Sequence, residues 1–204
     1  LRYVARSTER LQPGEPAAFV QAVETLHAVQ MRPEVHLTEA PAPKRLAPHA
    51  YALTADVLLT ESDEEDPVAT GRLVLLYNPV GHEAWHGEFR LVTYIRANLE
   101  PEMGADPLLL PAAWTWLTDA LSARSAAYTA ASGTVTRAAS EGFGGMAGET
   151  ATAEVEIRAS WSPLEPDLRA HTLAWGDALT TAAGLVPLPH GVIAIPTPRG
   201  RQNR

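Results

Sequence analysis

The residues with the clearest chemical potential are His82, Glu83 and His86, in the order His82-Glu83-Ala84-Trp85-His86. On a helix, two histidines four apart share one face and can hold a zinc ion, while the glutamate between them activates a metal-bound water. Here the pentad stands between two strand-like stretches, after Asn78-Pro79-Val80-Gly81 and before Gly87. That leaves no room for the long helix such a site uses. A third ligand is missing at helical spacing, although Glu100 or Glu102 could be brought in. A polar hairpin loop with Trp85 folded back on the sheet accounts for the same residues, and no metal is assigned.

Other constellations are less complete. Gly142-Phe143-Gly144-Gly145-Met146 follows a strand but lacks the Lys-Ser/Thr ending of a phosphate loop and the βαβ setting of a dinucleotide loop. It reads as a hairpin connection. Ser132, Ser140 and Ser160 lie in strand-like sequence outside any nucleophile elbow. Nothing in their spacing brings His49, His171 and Asp177 together. Trp114, Trp116, Trp161 and Trp175 fall on helix stripes and a strand end, where core packing is the default. No catalytic residue is assigned and no cofactor is expected.

The remaining polar set is Arg90, Arg96, Arg137 and Arg158 with Glu154 and Glu156. Strand alternation puts most of these, with Thr134 and Thr136, on the phase opposite the apolar residues. Cross-strand ion pairs that keep a sheet face solvated are one reading. An interface for a protein partner or a second copy of the chain is the other.

The elements that must position these residues follow from periodicity. A helix starts at Pro16 and carries Phe19, Val23, Leu26 and Val29 through Gln30. Residues 33–48 hold Pro33, Pro41, Pro43 and Pro48 and form an extended strap, with room for a short edge strand at Val35–Thr38. Alternation predicts strands over 51–59, 70–77, 89–99, 128–139 and 151–161. The acidic run 61–66 reads as a solvated hairpin loop. A second helix spans 111–124, with Trp114, Leu117 and Leu121 on its stripe. Ser162-Pro163-Leu164-Glu165 looks like the capped start of a third, which Gly184 ends.

The expected fold class is α+β: a mostly antiparallel five-stranded sheet with helices on one face, in the order α-βββ-α-ββ-α. Tyr51, Leu53, Val57, Leu91, Ile95, Val155 and Ile157 should face the helices. Residues 1–15 form a loose extension, 16–195 a single domain, and 196–204 a disordered basic tail. Thr70-Gly71 matches Ser132-Gly133, and Ile95-Arg96-Ala97 matches Ile157-Arg158-Ala159, both at an offset of 62. The strand–strand–helix unit therefore reads as a candidate internal duplication.

Composition narrows the function classes. There is no cysteine among 204 residues, which removes disulfides, thiolate metal sites and thiol catalysis and suits a reducing cytoplasm. The net charge of −8 argues against nucleic acid as the first partner. No apolar run approaches the roughly 20 residues of a membrane span.

The stretches 32–35 (Arg-Pro-Glu-Val) with 40–48 (Ala-Pro-Ala-Pro-Lys-Arg-Leu-Ala-Pro), 69–75, 89–97, 131–137 and 156–161 together resemble the uncharacterised actinobacterial family DUF3000. The resemblance spans roughly residues 16–195 and implies an actinobacterial, cytoplasmic protein. It supplies no catalytic residue, cofactor or substrate. The order of elements is similar to that of type III secretion chaperones, an analogy of fold alone. The leading expectation is a non-enzymatic protein-binding, adaptor- or chaperone-like module that uses the open sheet face or its edges and forms a dimer or binds another protein. Its rivals are a metal-dependent hydrolase at loop 82–86 and an RNA-binding protein.

Overall fold

The computed structural model describes residues 14–60 and 66–186. The expected extension over 1–15 and acidic loop at 61–66 fall almost wholly outside those residues, and the tail at 196–204 does so entirely. The described elements are α1 (Ala17–His27), β1 (Val35–Ala40), β2 (His49–Val57), β3 (Ala69–His82), β4 (Gly87–Leu99), α2 (Pro101–Ala105), α3 (Leu109–Ala123), β5 (Tyr128–Ser140), β6 (Thr152–Pro163) and α4 (Arg169–Ala182). The strands form one six-stranded sheet in the order β1-β2-β3-β4-β6-β5, antiparallel at every pairing.

The helix-facing phase is the expected one. Tyr51, Leu53, Val57, Leu91, Ile95, Val155 and Ile157 are all buried in one core with Phe19 and Leu26 of α1, Leu117 and Leu121 of α3, and Trp175 and Leu179 of α4. Two helical stripes explain the layer. In α3, Leu109, Ala113, Leu117 and Leu121 recur every four residues and are buried. Helix α4 lies deeper and buries nine of its 14 positions.

Three expectations need correction. The sheet has six strands rather than five, because Val35–Ala40 pairs fully with β2 before the prolines of the strap interrupt pairing. The order gains a short α2 after β4, started by Pro101 at its first turn. The last helix does not start at Ser162. Strand β6 runs on through Pro163, where Ser162 lies opposite Thr129 and Pro163 opposite Tyr128, and the helix begins only at Arg169. The end of that helix is as expected. Gly184 takes φ +74°, its N–H reaches the Thr181 carbonyl, and the Leu185 N–H reaches the Thr180 carbonyl, a Schellman closure.

The two strand–strand–helix units are placed about an approximate two-fold axis. Ile95 and Ile157, matched in sequence, are directly opposite each other where β4 meets β6. Each unit's helix reaches across to the other unit's outer strand. A Cβ on Gly71 of β3 would meet Leu179 and Trp175 of α4, and one on Gly133 of β5 would meet Trp114 of α3. The β5 pairing is two residues out of step with β3, since Gly71 faces Ile95 while Gly133 faces Ala159.

Candidate functional site

The sheet face away from the helices has two halves. One is covered by the chain itself. Ala52 of β2 and Val74 and Leu76 of β3 are buried there beneath Ala40, Ala42 and Ala47 of the strap and Trp85 of the β3–β4 turn. Arg72 fastens the strap by donating to the Pro41 carbonyl.

The other half is formed by β4, β6 and β5. Arg96 donates from Nε to Glu154 Oε2 at 3.0 Å and makes a second bond to the same carboxylate through Nη2. Arg158 donates to Glu156 Oε2 at 2.8 Å, and the Tyr94 hydroxyl donates to Glu156 Oε1 at 2.9 Å. The Arg158 guanidinium also sits 5.5 Å from the Tyr94 ring centre, within cation–π range. The Arg96 and Arg158 side chains are 48% and 62% exposed. Solvation of these pairs keeps their worth for stability small. Burial and the Glu156 carboxylate push the Tyr94 hydroxyl up, and the Glu154 bond holds the Arg96 guanidinium above its usual value.

Two residues of the expected polar set do not join this row. Arg137 is on the helix side of β5, where it donates to the carbonyls of Gly104 and Asp106 at 3.4 and 3.0 Å. Arg90 is on the open-face phase but only 8% exposed. Its Nη1 donates to the Ala130 carbonyl at 2.8 Å and Ser162 Oγ at 3.1 Å. Its Nη2 donates to Ser160 Oγ at 2.6 Å and Ser132 Oγ at 3.3 Å. Every one of these acceptors is neutral. Burial lowers the guanidinium from its usual value, as expected for a charge taken from water. The Ala130 carbonyl is aimed by a bulge in β5 between Thr129 and Ser132, with Ala130 itself at φ +52°. Alternation in the sequence gives the phase of Arg90 but not this socket. Its only trace is the serines at 132, 160 and 162.

Loop 82–86 does not build a zinc helix. His82 ends β3, residues 83–85 form a single 3-10 turn, and His86 takes a left-handed φ of 55°. The two imidazoles are therefore not one α-helical turn apart, and His82 stacks on Trp85 at 4.9 Å. Trp85 itself folds back on the sheet, as the hairpin reading expects. Among the described residues, no group of three or more His, Asp or Glu is placed to hold a metal. Gly142–Gly145 connects β5 to β6 through a short 3-10 turn.

His49, His171 and Asp177 are apart, each with its own partner. His49 pairs with Glu15, Asp177 pairs with Arg124 at 2.6 Å, and His171 Nδ1 accepts from the Trp161 indole at 3.1 Å. Burial drives the His171 imidazole down to about 4, against a weaker opposing pull from Asp167. No helix among the described residues is long and apolar enough to cross a membrane.

These features define an α+β domain whose antiparallel sheet is covered by helices on one face and half covered by its own strap on the other. The family model "Protein of unknown function (DUF3000)" matches residues 15–193, and the chain belongs to that family. Comparison with curated proteins and with solved structures gave no match to either.

Proposed function

We propose that the protein is a non-enzymatic protein-binding module, adaptor- or chaperone-like, working in the cytoplasm. Its docking surface is the half of the sheet face that the strap leaves uncovered. The observation that supports this is the row of Tyr94, Arg96, Glu154, Glu156 and Arg158, joined by hydrogen bonds across β4 and β6 and along β6 with both arginine heads in solvent. Arginine and tyrosine are enriched at protein interfaces. The absence of cysteine suits a reducing compartment.

The test is co-purification from the native host with the wild-type chain and with an Arg96→Glu/Arg158→Glu variant whose fold is checked by circular dichroism. A specific protein enriched by the wild type, and reduced by about tenfold or more in the variant, is the expected result. Equal recovery with both chains would place the docking surface elsewhere.

A further inference from the structure

The sheet ends in two edge strands of different character. Strand β1 is protected in the usual ways: it has six residues, includes a histidine and a glutamate, and runs into the prolines of the strap. Strand β5 is not. It has 13 residues, no proline, and one charge, Arg137, which turns back to the Gly104 and Asp106 carbonyls rather than outward. From Ser132 to Ser140 its pairing with β6 is free of bulges, so its other side presents a straight row of backbone N–H and C=O groups.

The helix that flanks this edge is equally neutral. Helix α3 has one charged residue, Asp119, in 15, whereas charged residues make up 20% of the chain. Exposed apolar side chains continue the surface, with Glu102 and Asp106 the exposed acidic residues among them: Met103, Leu108 and Leu110 are 46%, 67% and 37% exposed, and Trp114 is half-buried over Gly133. Across the approximate two-fold axis the corresponding outer strand is β3, and there the chain lays β2 along the free edge. No described strand does so for β5.

We infer that a second copy of this chain occupies the β5 edge, with the two β5 strands antiparallel about a two-fold axis at Thr136. The pairing joins two six-stranded sheets into one of twelve and sets the two α3 helices side by side. Charge favours this occupant. Two chains of net charge −8 repel overall, and an isologous contact places each patch against itself, so this sparsely charged edge, where β5 carries only Arg137 and α3 only Asp119, is where two copies meet at least cost. In this register Thr136 meets its own counterpart, Val135 faces Arg137, Thr134 faces Ala138, Gly133 faces Ala139 and Ser132 faces Ser140. No like charges are opposed. The inference concerns the edge of the sheet, so it stands or falls separately from partner binding on the open face.

The chain has no cysteine, so one introduced thiol reports on one contact. Residues directly opposite in antiparallel strands have Cα atoms about 4.5–5.5 Å apart, within disulfide reach. Oxidised Thr136→Cys should therefore run as a covalent dimer, while Thr38→Cys, on the other edge, should not. Light scattering of the wild type at tens of micromolar should give twice the chain mass of 21.9 kDa. Thr136→Lys, which sets two ammonium groups opposite each other at an exposed position, should give a folded species of half that mass. A monomeric wild type, cross-linking through position 38 instead of 136, or a Thr136→Lys variant that stays dimeric would each overturn the proposal.

Discussion

Replacing Arg90 with methionine tests whether the buried guanidinium stabilises the sheet or merely survives in it. Its four donated bonds tie β4 to Ser160 and Ser162 of β6 and to Ala130 and Ser132 of β5. Each such bond contributes about 0.5–1.5 kcal/mol net, and acceptors left without a partner add to the loss. Against this stands the cost of holding a charge away from water with no carboxylate bonded to it. Methionine recovers that cost and keeps most of the apolar stem. The serine hydroxyls can turn to new partners, but the Ala130 carbonyl is fixed by its bulge. The balance is a loss of about 2–3 kcal/mol, or about 5–10 °C in Tm for a domain of this size. Arg90→Lys should fall at least as far, because it keeps the buried charge while one ammonium cannot span two pairs of acceptors. Urea denaturation read by tryptophan fluorescence measures both variants. An Arg90→Met protein as stable as the wild type, or more so, would refute the reasoning: the four bonds would then do no more than offset desolvation. Ala130→Gly supplies an independent check. It should relieve about 1 kcal/mol of left-handed strain in the wild type and less in the Arg90→Met background, where the bulge no longer has a partner to hold it. The double-mutant cycle reads that coupling.

Gly71→Ala presses a methyl group to 2.8–2.9 Å of the Leu179 and Trp175 side chains and should cost about 1–2 kcal/mol in chemical denaturation. Gly133→Ala meets the Arg158 carbonyl at 2.3 Å as well as Trp114; backbone yields less than side chains, so its loss should be the larger, about 3 kcal/mol. His171 has a folded value of about 4 against an ordinary 6.5, so the unfolded chain takes up the proton first. Its contribution is complete above pH 6.5 and is lost as pH falls towards 4, by up to about 3 kcal/mol. Burial lowers His27 in the same direction. A His171→Gln variant, whose amide oxygen can still accept from Trp161, should show a flatter urea midpoint between pH 7 and 4.5 than the wild type. Arg72→Ala should speed tryptic cleavage after Lys44 and Arg45 selectively, because it removes the bond that fastens the strap at Pro41.

The core was legible in the sequence because period-two alternation is a strong signal for strands with one buried face. Tyr51, Leu53, Leu91, Ile95, Val155 and Ile157 follow it, and all are buried. The missed features are those in which tertiary context overrides a local signal. Ser162-Pro163-Leu164-Glu165 has the residue types of a helix cap, yet Ser162 serves Arg90 as an acceptor and stays in β6. The short edge strand allowed at Val35–Thr38 is a full member of the sheet, because the strap's prolines flank Val35–Ala40 and leave that strand intact. Alternation assigns a side chain to a face but not to a depth. That is why Arg90 and Arg96, six residues apart on one strand and in the same phase, differ so much in exposure. Arg96 stands in the uncovered half, while Arg90 is beside the β5 bulge, which no periodicity announces.

The approximate two-fold axis accounts for several of these features together. A helix that crosses onto the other unit's outer strand needs a small residue beneath its bulky side chain. Gly71 and Gly133 supply that space at matched positions, under Trp175 and Trp114. The sequence match at an offset of 62 is thus in part a match of packing need. The axis also exposes an asymmetry. Beyond β3 the chain adds β2, β1 and the helix α1 over them; beyond β5 it adds nothing among the described residues. A 13-residue edge on the β5 side with a single charged residue is poorly explained by solubility, which favours a charged edge. It is explained if that side is closed by a copy of itself. The twelve strands would then carry two uncovered half-faces, each with its arginine and glutamate row, on one continuous sheet. A partner with two binding segments could engage both at once, and its affinity should then fall more steeply than its contacts alone predict when Thr136→Lys separates the copies.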